Sequence, residues 1–161
     1  MAVDMFLKID GIKGEAQDDK HKDEIDVLAW SWGMGQSATT HLGGGGGSGR
    51  VAVQDLAITK YLDKATPNLM SYCCNGKHIP KILLTVRKAG GDKPLEYMKI
   101  TMEDCLVSNV STGGSGSEDR LTENLALNFT KFKVEYTPQK ADGSGDAAIE
   151  MAYNIAKNVK I

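Results

Sequence analysis

The chain has 161 residues, of which 41% are hydrophobic and 25% charged, so it is long enough to bury a core and too apolar to be disordered. Its 19 basic and 21 acidic residues are interleaved and leave a formal net charge of −2, which argues against the clustered basic surface that nucleic-acid binding requires. Glycine is unusually frequent: there are 18 glycines, against an average near 7% of residues, and half of them lie in residues 43–49 and 113–116.

The beginning of the chain lacks the features of a signal peptide. Asp4 stands where basic residues are needed, and no long apolar stretch follows it. Residues 27–49 carry no charge, but serine, threonine, glutamine, histidine and glycine make this stretch too polar to span a membrane. We therefore expect a protein that is made in the cytoplasm, does not insert into membranes, and needs a dedicated machine for any export.

Alternating hydrophobic side chains predict most of the secondary structure. In chain order, the predicted strands cover residues 3–9, 24–34, 51–62, 82–86, 95–110, 121–137 and 149–155. The strand at 24–34 is apolar on both faces, so we expect it to be covered on both sides or to meet another subunit. The alternation changes phase within 51–62 and 121–137, which is typical of a β-bulge where a strand bends around a barrel or sandwich corner.

One helix is predicted between the third and fourth strands. Thr66 is its expected N-cap, Pro67 its first residue, and Gly76 follows its end. Its apolar stripe consists of Leu69, Met70, Cys73 and Cys74. The pattern predicts a mainly β protein, an antiparallel β-barrel or sandwich with one short flanking α-helix, in a single domain over residues 1–161. Residues 35–50 and 111–120 are predicted to be long loops, which are usually functional or disordered.

The sequence contains no convincing catalytic, metal or cofactor motif. The glycine run is followed by a strand and not by a helix, so it does not match a phosphate-binding loop. His21, His41 and His78 lie in separate segments without metal-ligand spacing, and three cysteines (Cys73, Cys74 and Cys105) are too few for a disulfide scaffold. We therefore predict no enzyme activity, no metal and no cofactor, with Trp30 and Trp32 serving as core or interface residues.

Several segments together resemble one known family. They are Glu24–Met34 followed by Gly43–Gly47, Thr59–Leu69, Gly76–His78, Arg87–Gly91, Val110–Gly116 and Glu118–Asn124. These segments, with their spacing, resemble the Hcp (haemolysin-coregulated protein) family, the tube subunits of type VI secretion, over residues 1–161. The resemblance implies a phage tail tube-like fold and a homohexameric ring around a wide channel. It also implies that rings stack into a tube inside a contractile sheath, leave the cell with a spike protein, and carry effector proteins in the lumen.

The resemblance turns the two glycine-rich loops into candidate joints between copies of the chain. The candidate residues for ring stacking or subunit contact are Gly43, Gly44, Gly45, Gly46, Gly47, Gly113, Gly114, Glu118, Asp119 and Arg120. Small side chains at Ala29 and Ser31 would suit a tube interior or a tight subunit contact, and Ser31 is the candidate contact for effectors in the lumen. The alternative is a monomeric β-barrel module that binds a ligand or a protein through Trp30 and Trp32.

Overall fold

The computed structural model describes residues 2–37, 49–88 and 93–161. The strands are β1 (Val3–Ile9), β2 (Ile25–Asp26), β3 (Ala29–Ser31), β4 (Met34–Gly35), β5 (Ala52–Val53), β6 (Leu56–Tyr61), β7 (Ile79–Lys88), β8 (Leu95–Thr112), β9 (Thr122–Tyr136), β10 (Ile149–Asn154) and β11 (Val159–Lys160). The helix α1 (Thr66–Asn75) lies between β6 and β7 and contacts β8. The predicted mainly β fold with one flanking helix is confirmed.

The main sheet is antiparallel and wraps around the core. Its order is β11-β10-β9-β8-β7-β1-β2, and β6 joins through β9 and also pairs with β3. Strand β9 is long enough to pair with β6 along residues 122–127 and with β10 along residues 131–136. Because residues 25–31 pair first with β1 and then with β6, they connect the two flanks of the sheet and give it a barrel-like curvature.

The predicted continuous strand at 24–34 is wrong in detail. The structure breaks it into β2, β3 and β4, because each piece pairs with a different partner: β1, β6 and β5. The predicted strand at 51–62 is also divided, and its phase change is a break between β5 and β6, not a bulge. At this break, the backbone of Gln54 makes two hydrogen bonds. Its carbonyl oxygen accepts the indole N–H of Trp32 at 2.8 Å, and its N–H donates to Gly33 O at 2.9 Å.

The phase change in β9 has a different cause from the predicted bulge. Phe129 and Phe132 are both buried, and the register with β8 is the same on either side of the change. Opposite this point, Asp104 has a left-handed φ of 54°. In both strands the inward-facing and outward-facing residues change places here, without an inserted residue. The register shift between β8 and β9 lies instead between Val107 and Asn109.

Both tryptophans pack against the hydrophobic core, as predicted. The Trp32 ring lies 4.9 Å from Phe132 and 5.9 Å from Phe129 between ring centroids, and Trp30 is partly buried against the same core. Edge-on aromatic pairs of this kind stabilise a core beyond the area that they bury. The fully buried aliphatic residues around them include Leu7, Ile25, Leu56, Ile82, Leu84, Ile100 and Leu127.

The prediction that Thr66 caps the helix is wrong. The N-cap is Ala65, without a side-chain capping bond, and the Thr66 hydroxyl instead donates to Glu123 Oε1 at 2.8 Å. Gly76 ends the helix in a left-handed conformation (φ 65°), as its position predicted. Of the predicted apolar stripe, Leu69 is buried and Cys73 half-buried, whereas Met70 and Cys74 are exposed.

Candidate functional site

Ser31 lies on a smooth, uncharged part of the sheet surface. It pairs with Ala57, which pairs with Ala126, which in turn pairs with Asn109, and paired residues share one face of a sheet. The neighbouring row has the same character, and Thr59 Oγ1 donates there to Asn124 Oδ1 at 2.8 Å. We call this surface the small-residue face; it consists of Ala29, Ser31, Ala57, Thr59, Asn109, Ser111, Asn124 and Ala126. Its four strands place short side chains side by side, which leaves room for another molecule to approach closely.

The Asp55 carboxylate bonds to two strands beside the small-residue face. Asp55 follows the break between β5 and β6, and its two oxygens accept hydrogen bonds from Ser108 Oγ at 2.6 Å and Asn128 Nδ2 at 2.8 Å. Ser108 is the residue skipped by the register shift in β8. Asp55 therefore ties an irregular position of β8 to β9 and keeps the neighbouring rows in register.

The predicted loop at 111–120 begins later than expected, because β8 continues to Thr112. Gly114 lies against the side chain of Leu121 so closely that a Cβ atom would overlap it, whereas Gly113 faces open space. Glu118 and Asp119 are exposed, and Glu118 N donates to Ser115 O at 3.1 Å in a turn. The loop is thus a compact turn and not a loose linker in this region.

Arg120 is held by an aromatic ring. Its guanidinium lies 3.8 Å from the centroid of the Tyr61 ring, an attractive cation–π geometry. This contact fastens the end of the loop to β6, while the carboxylates of Glu118 and Asp119 stay at the surface.

The structure brings the second loop next to the small-residue face. Gly113, Gly114 and Glu118 line a depression of about 380 Å³ together with Ser111 and Asn124 of that face. Two groups of candidates from the sequence, Ser31 with its neighbours and residues 113–120, therefore border one continuous surface. The candidates Gly43–Gly47 lie outside the described residues.

The ends of the first loop are anchored on both sides. Strands β4 and β5 pair Met34 with Val53 and Gly35 with Ala52, and a Cβ atom at Gly49 would overlap the hydroxyl of Ser37. Arg50 Nη2 donates to the carbonyl oxygens of Ile155 at 2.7 Å and Ala156 at 3.0 Å. These two hydrogen bonds connect the base of the loop to the turn between β10 and β11.

The sequence analysis missed an exposed apolar edge at the end of the sheet. Ile149 (66% exposed) and Met151 of β10 lie beside Tyr136 of β9 on one face of the sheet. Val159 of β11 and Ile161 (62% exposed), which follows β11, lie on the other face, since Val159 pairs with Asn154. We call these five residues the apolar edge. The alternation of residues 149–155 predicted a strand, but periodicity does not reveal whether the apolar side faces the core or solvent.

The described histidines contact carboxylates, and one of the cysteines, Cys105, is fully buried. His21 lies between Glu24 and Glu96, and His78 Nδ1 is 2.8 Å from Asp104 Oδ1; His41 is outside the described residues. In the described ranges, no group of three or more histidine, cysteine, aspartate or glutamate residues is placed to hold a metal ion. Burial raises the pKa of the Cys105 thiol to about 12, so this thiol is inert. Within the same ranges no helix is both long and apolar enough to cross a membrane.

The chain is similar to known proteins in both sequence and fold. The model of the family described as "Type VI secretion system effector, Hcp" matches residues 6–136. The chain is 60% identical over 161 residues to Protein hcp1 of Pseudomonas aeruginosa, covering 99% of each sequence. Its fold matches the crystal structure of Hcp1 from Salmonella typhimurium with a TM-score of 0.83 at 44% identity, over the whole of both chains.

A further solved structure, described as a type six secretion system protein, matches with a TM-score of 0.93 at 30% identity, over 99% of this chain and all of that one. The family match covers most of the strands described above, and the curated relative spans the chain from end to end. The chain therefore belongs to the Hcp family of type VI secretion proteins.

Proposed function

We propose that this chain is a structural subunit of the type VI inner tube, forming hexameric rings that stack and carry effectors. The whole chain, residues 1–161, acts as one tube domain in this proposal. The observation that carries it is the apolar edge, because these exposed apolar side chains flank the open end of the sheet on both faces, where a second copy would remove them from water. An edge strand also offers unpaired backbone groups to another chain, so a second copy can cover the edge and extend the sheet.

The apolar edge lies at the open end of the sheet, whereas β2 at the other end leads into β3, which pairs with β6. A ring therefore places the apolar edge of one copy against a different surface of the next copy, and such head-to-tail contacts close when the rotation between copies is right. In this arrangement each copy uses its apolar edge once, so no edge is left exposed.

Native mass measurement of the purified protein tests ring formation. A ring gives a species near six times 17.3 kDa, whereas a monomeric binding module gives 17.3 kDa. Ile149→Asp should shift the protein toward smaller species, because it places a charge in the contact. Met70→Asp, an exposed apolar position on α1, is the matched control and should leave the assembly unchanged. A wild-type monomer at all concentrations would contradict the proposal.

We also propose that the small-residue face lines the lumen and that Ser31 contacts effectors there. Its support is the row Ser31–Ala57–Ala126–Asn109, which a long side chain at Ser31 would obstruct. Ser31→Gln should leave rings intact but reduce effector binding and effector stability. Ser71→Gln, at an exposed position of α1, is the control. Unchanged effector binding in Ser31→Gln would remove the support for this placement.

The two glycine-rich loops are the proposed contacts between rings. The residues concerned are Gly43 to Gly47, Gly113, Gly114, Glu118, Asp119 and Arg120, and the anchored base formed by β4, β5 and Arg50 supports the first loop. Replacing Gly43–Gly47 by a short turn should leave hexamers intact and weaken stacking, observed by electron microscopy. Loss of the hexamer itself would show that this loop builds the ring instead.

In this proposal the chain acts by assembly and not by catalysis. Its partners are other copies of itself and, by family, the spike, sheath and effector proteins of the machine, and it passes from the cytoplasm to the outside through that machine. The alternative of a monomeric module that binds a ligand through Trp30 and Trp32 is disfavoured. The Trp32 ring packs on Phe132 and its N–H donates to Gln54 O, and Trp30 packs against the hydrophobic core.

A further inference from the structure

Residues 10–24, between β1 and β2, form a compact segment without regular secondary structure. Gly14 N donates to Asp23 O at 2.8 Å, Ala16 N to Glu24 O at 2.9 Å, and Asp23 N to Ala16 O at 3.0 Å. Gly14 lies so close to Ile25 that a Cβ atom would overlap its backbone. The segment is therefore tightly packed, and its last residue leads directly into β2.

His21 fastens this segment to the sheet from a nearly buried position. Its side chain stacks on Phe6 of β1, with ring centroids 4.3 Å apart and planes only 9° from parallel. Nδ1 lies 2.8 Å from Glu24 Oε2, and Nε2 lies 2.7 Å from Glu96 Oε1 of β8. An ionised carboxylate can only accept a hydrogen bond, so both contacts are satisfied only when each ring nitrogen carries a proton and the ring is charged.

The surroundings favour that charge. Lys99 Nζ lies 3.4 Å from the second oxygen of Glu96. Burial raises the pKa of the Glu96 carboxyl, but the hydrogen bonds from His21 and Lys99 outweigh this effect, so the pKa is lowered overall. Ion pairs and the Phe6 ring link His21 to a cluster of charged side chains from β1, the segment itself, β7 and β8: Asp4, Asp18, Glu24, Arg87, Glu96 and Lys99. With a charged His21 the cluster holds three positive and four negative groups, and a neutral ring would leave it with two net negative charges.

We propose that His21 is a pH-sensitive clasp that holds residues 10–24 closed while its ring is charged. When the ring loses its proton, one nitrogen becomes an acceptor and faces a carboxylate oxygen at hydrogen-bond distance, which is repulsive. The contact with Glu24 or Glu96 is then lost, and the segment opens locally while the sheet stays folded. The clasp is independent of the proposed ring contacts, since it lies within one chain.

Nitrogen NMR of the wild-type imidazole and amide hydrogen exchange test the clasp. At about pH 6, both His21 nitrogens should carry protons, and His21→Gln should make the amides of Gly14, Ala16, Asp23 and Glu24 exchange about 10-fold faster after correction for intrinsic rates. At about pH 9 the wild type should approach the variant, because its own clasp has opened. His78→Gln, which removes an exposed histidine–carboxylate pair, is the matched control and should leave these four amides unchanged.

Three results would overturn the proposal. One is a wild-type His21 ring with a single protonated nitrogen near neutral pH. Another is an effect of His21→Gln on these amides that is equal at every pH, and the third is the same effect from His78→Gln. If His21→Gln fails to fold, the NMR titration and the pH dependence of exchange in the wild type decide the question alone.

Discussion

Arg87 shows how a buried charge is accommodated at the level of single residues. This nearly buried side chain on β7 donates to both oxygens of Asp18, at 3.1 and 2.6 Å, and to Asp4 Oδ2 at 3.0 Å, and its guanidinium lies 5.0 Å from the Phe6 ring centroid. The hydrogen bonds from Arg87 lower the pKa of Asp18 to about 2, against a smaller opposing effect of burial. Asp18 therefore connects the segment at 10–24 to the sheet through a second ion pair.

This ion pair predicts a loss of stability on the acid side. Because the pKa of Asp18 is lower in the folded chain than in the unfolded chain, its contribution is complete above about pH 5 and is lost as the pH falls toward about 2. Asp18→Asn should lower the free energy of unfolding by about 1–2 kcal/mol near pH 6 and by less near pH 2. Urea unfolding at several pH values measures this, with Asp119→Asn in the exposed loop as the control. An equal loss at every pH would contradict the assignment.

At the level of elements, a buried ion pair between two strands also holds the first residue of α1. Lys60 of β6 and Glu123 of β9 are directly paired and both fully buried; Lys60 Nζ contacts Glu123 Oε1 and also Asp63 Oδ1, the latter at 2.9 Å. Glu123 Oε1 further accepts the hydroxyl of Thr66, the first residue of α1. The start of the helix is therefore positioned by the sheet and not by a capping side chain of its own.

Removing one partner of this pair should be more harmful than removing both charges. Lys60→Met leaves the Glu123 carboxylate buried without its cation, so we expect a loss of about 3–5 kcal/mol in the free energy of unfolding. Combining Lys60→Met with Glu123→Gln should recover a large part of that loss, since no uncompensated buried charge remains. Chemical denaturation of the single and double variants measures the difference. A double variant no more stable than Lys60→Met would argue against the ion pair as the cause.

At the level of the whole molecule, the apolar edge is the surface through which we propose that copies of the chain associate. Side chains such as Ile149 and Ile161 lie at the open side of the sheet, where burying them requires a second chain. Association that involves only the folded form stabilises the fold by mass action. In the proposed assembly, the apolar edge therefore links the stability of each copy to its concentration.

This linkage predicts a melting temperature that depends on concentration. Wild-type Tm should rise by a few degrees between about 1 and about 100 µM, because assembly stabilises only the folded chain. Ile149→Asp should remove most of the rise, while Met70→Asp should retain it. Thermal unfolding followed by circular dichroism measures both. A wild-type Tm that is constant over this range, while the protein stays folded and soluble, would contradict assembly through this edge.

Local features of the sequence predicted the parts of the fold that depend on near neighbours. Period-two alternation located β1, β8, β9 and β10, and the conformational freedom of glycine marked Gly76 as the end of α1. The motifs between Glu24 and Asn124 indicated the family, which the comparisons confirm. In contrast, the break of residues 24–34 into three strands was not predictable, because it follows from which strand each piece pairs with.

The sequence by itself determined the mainly β fold, the helix and the family, since each depends on patterns within a few residues or on the spacing of segments along the chain. Tertiary structure alone decided that Lys60 and Glu123 are buried together, that His21 meets Glu96, and that Ser31 and the loop at 113–120 border one surface. These contacts join residues far apart in the chain, and they exist only after the strand registers are set. A one-residue change of register would turn the same side chains to the other face of the sheet. Alternation within a strand specifies which face is buried, but it does not specify which residue of a distant strand lies opposite.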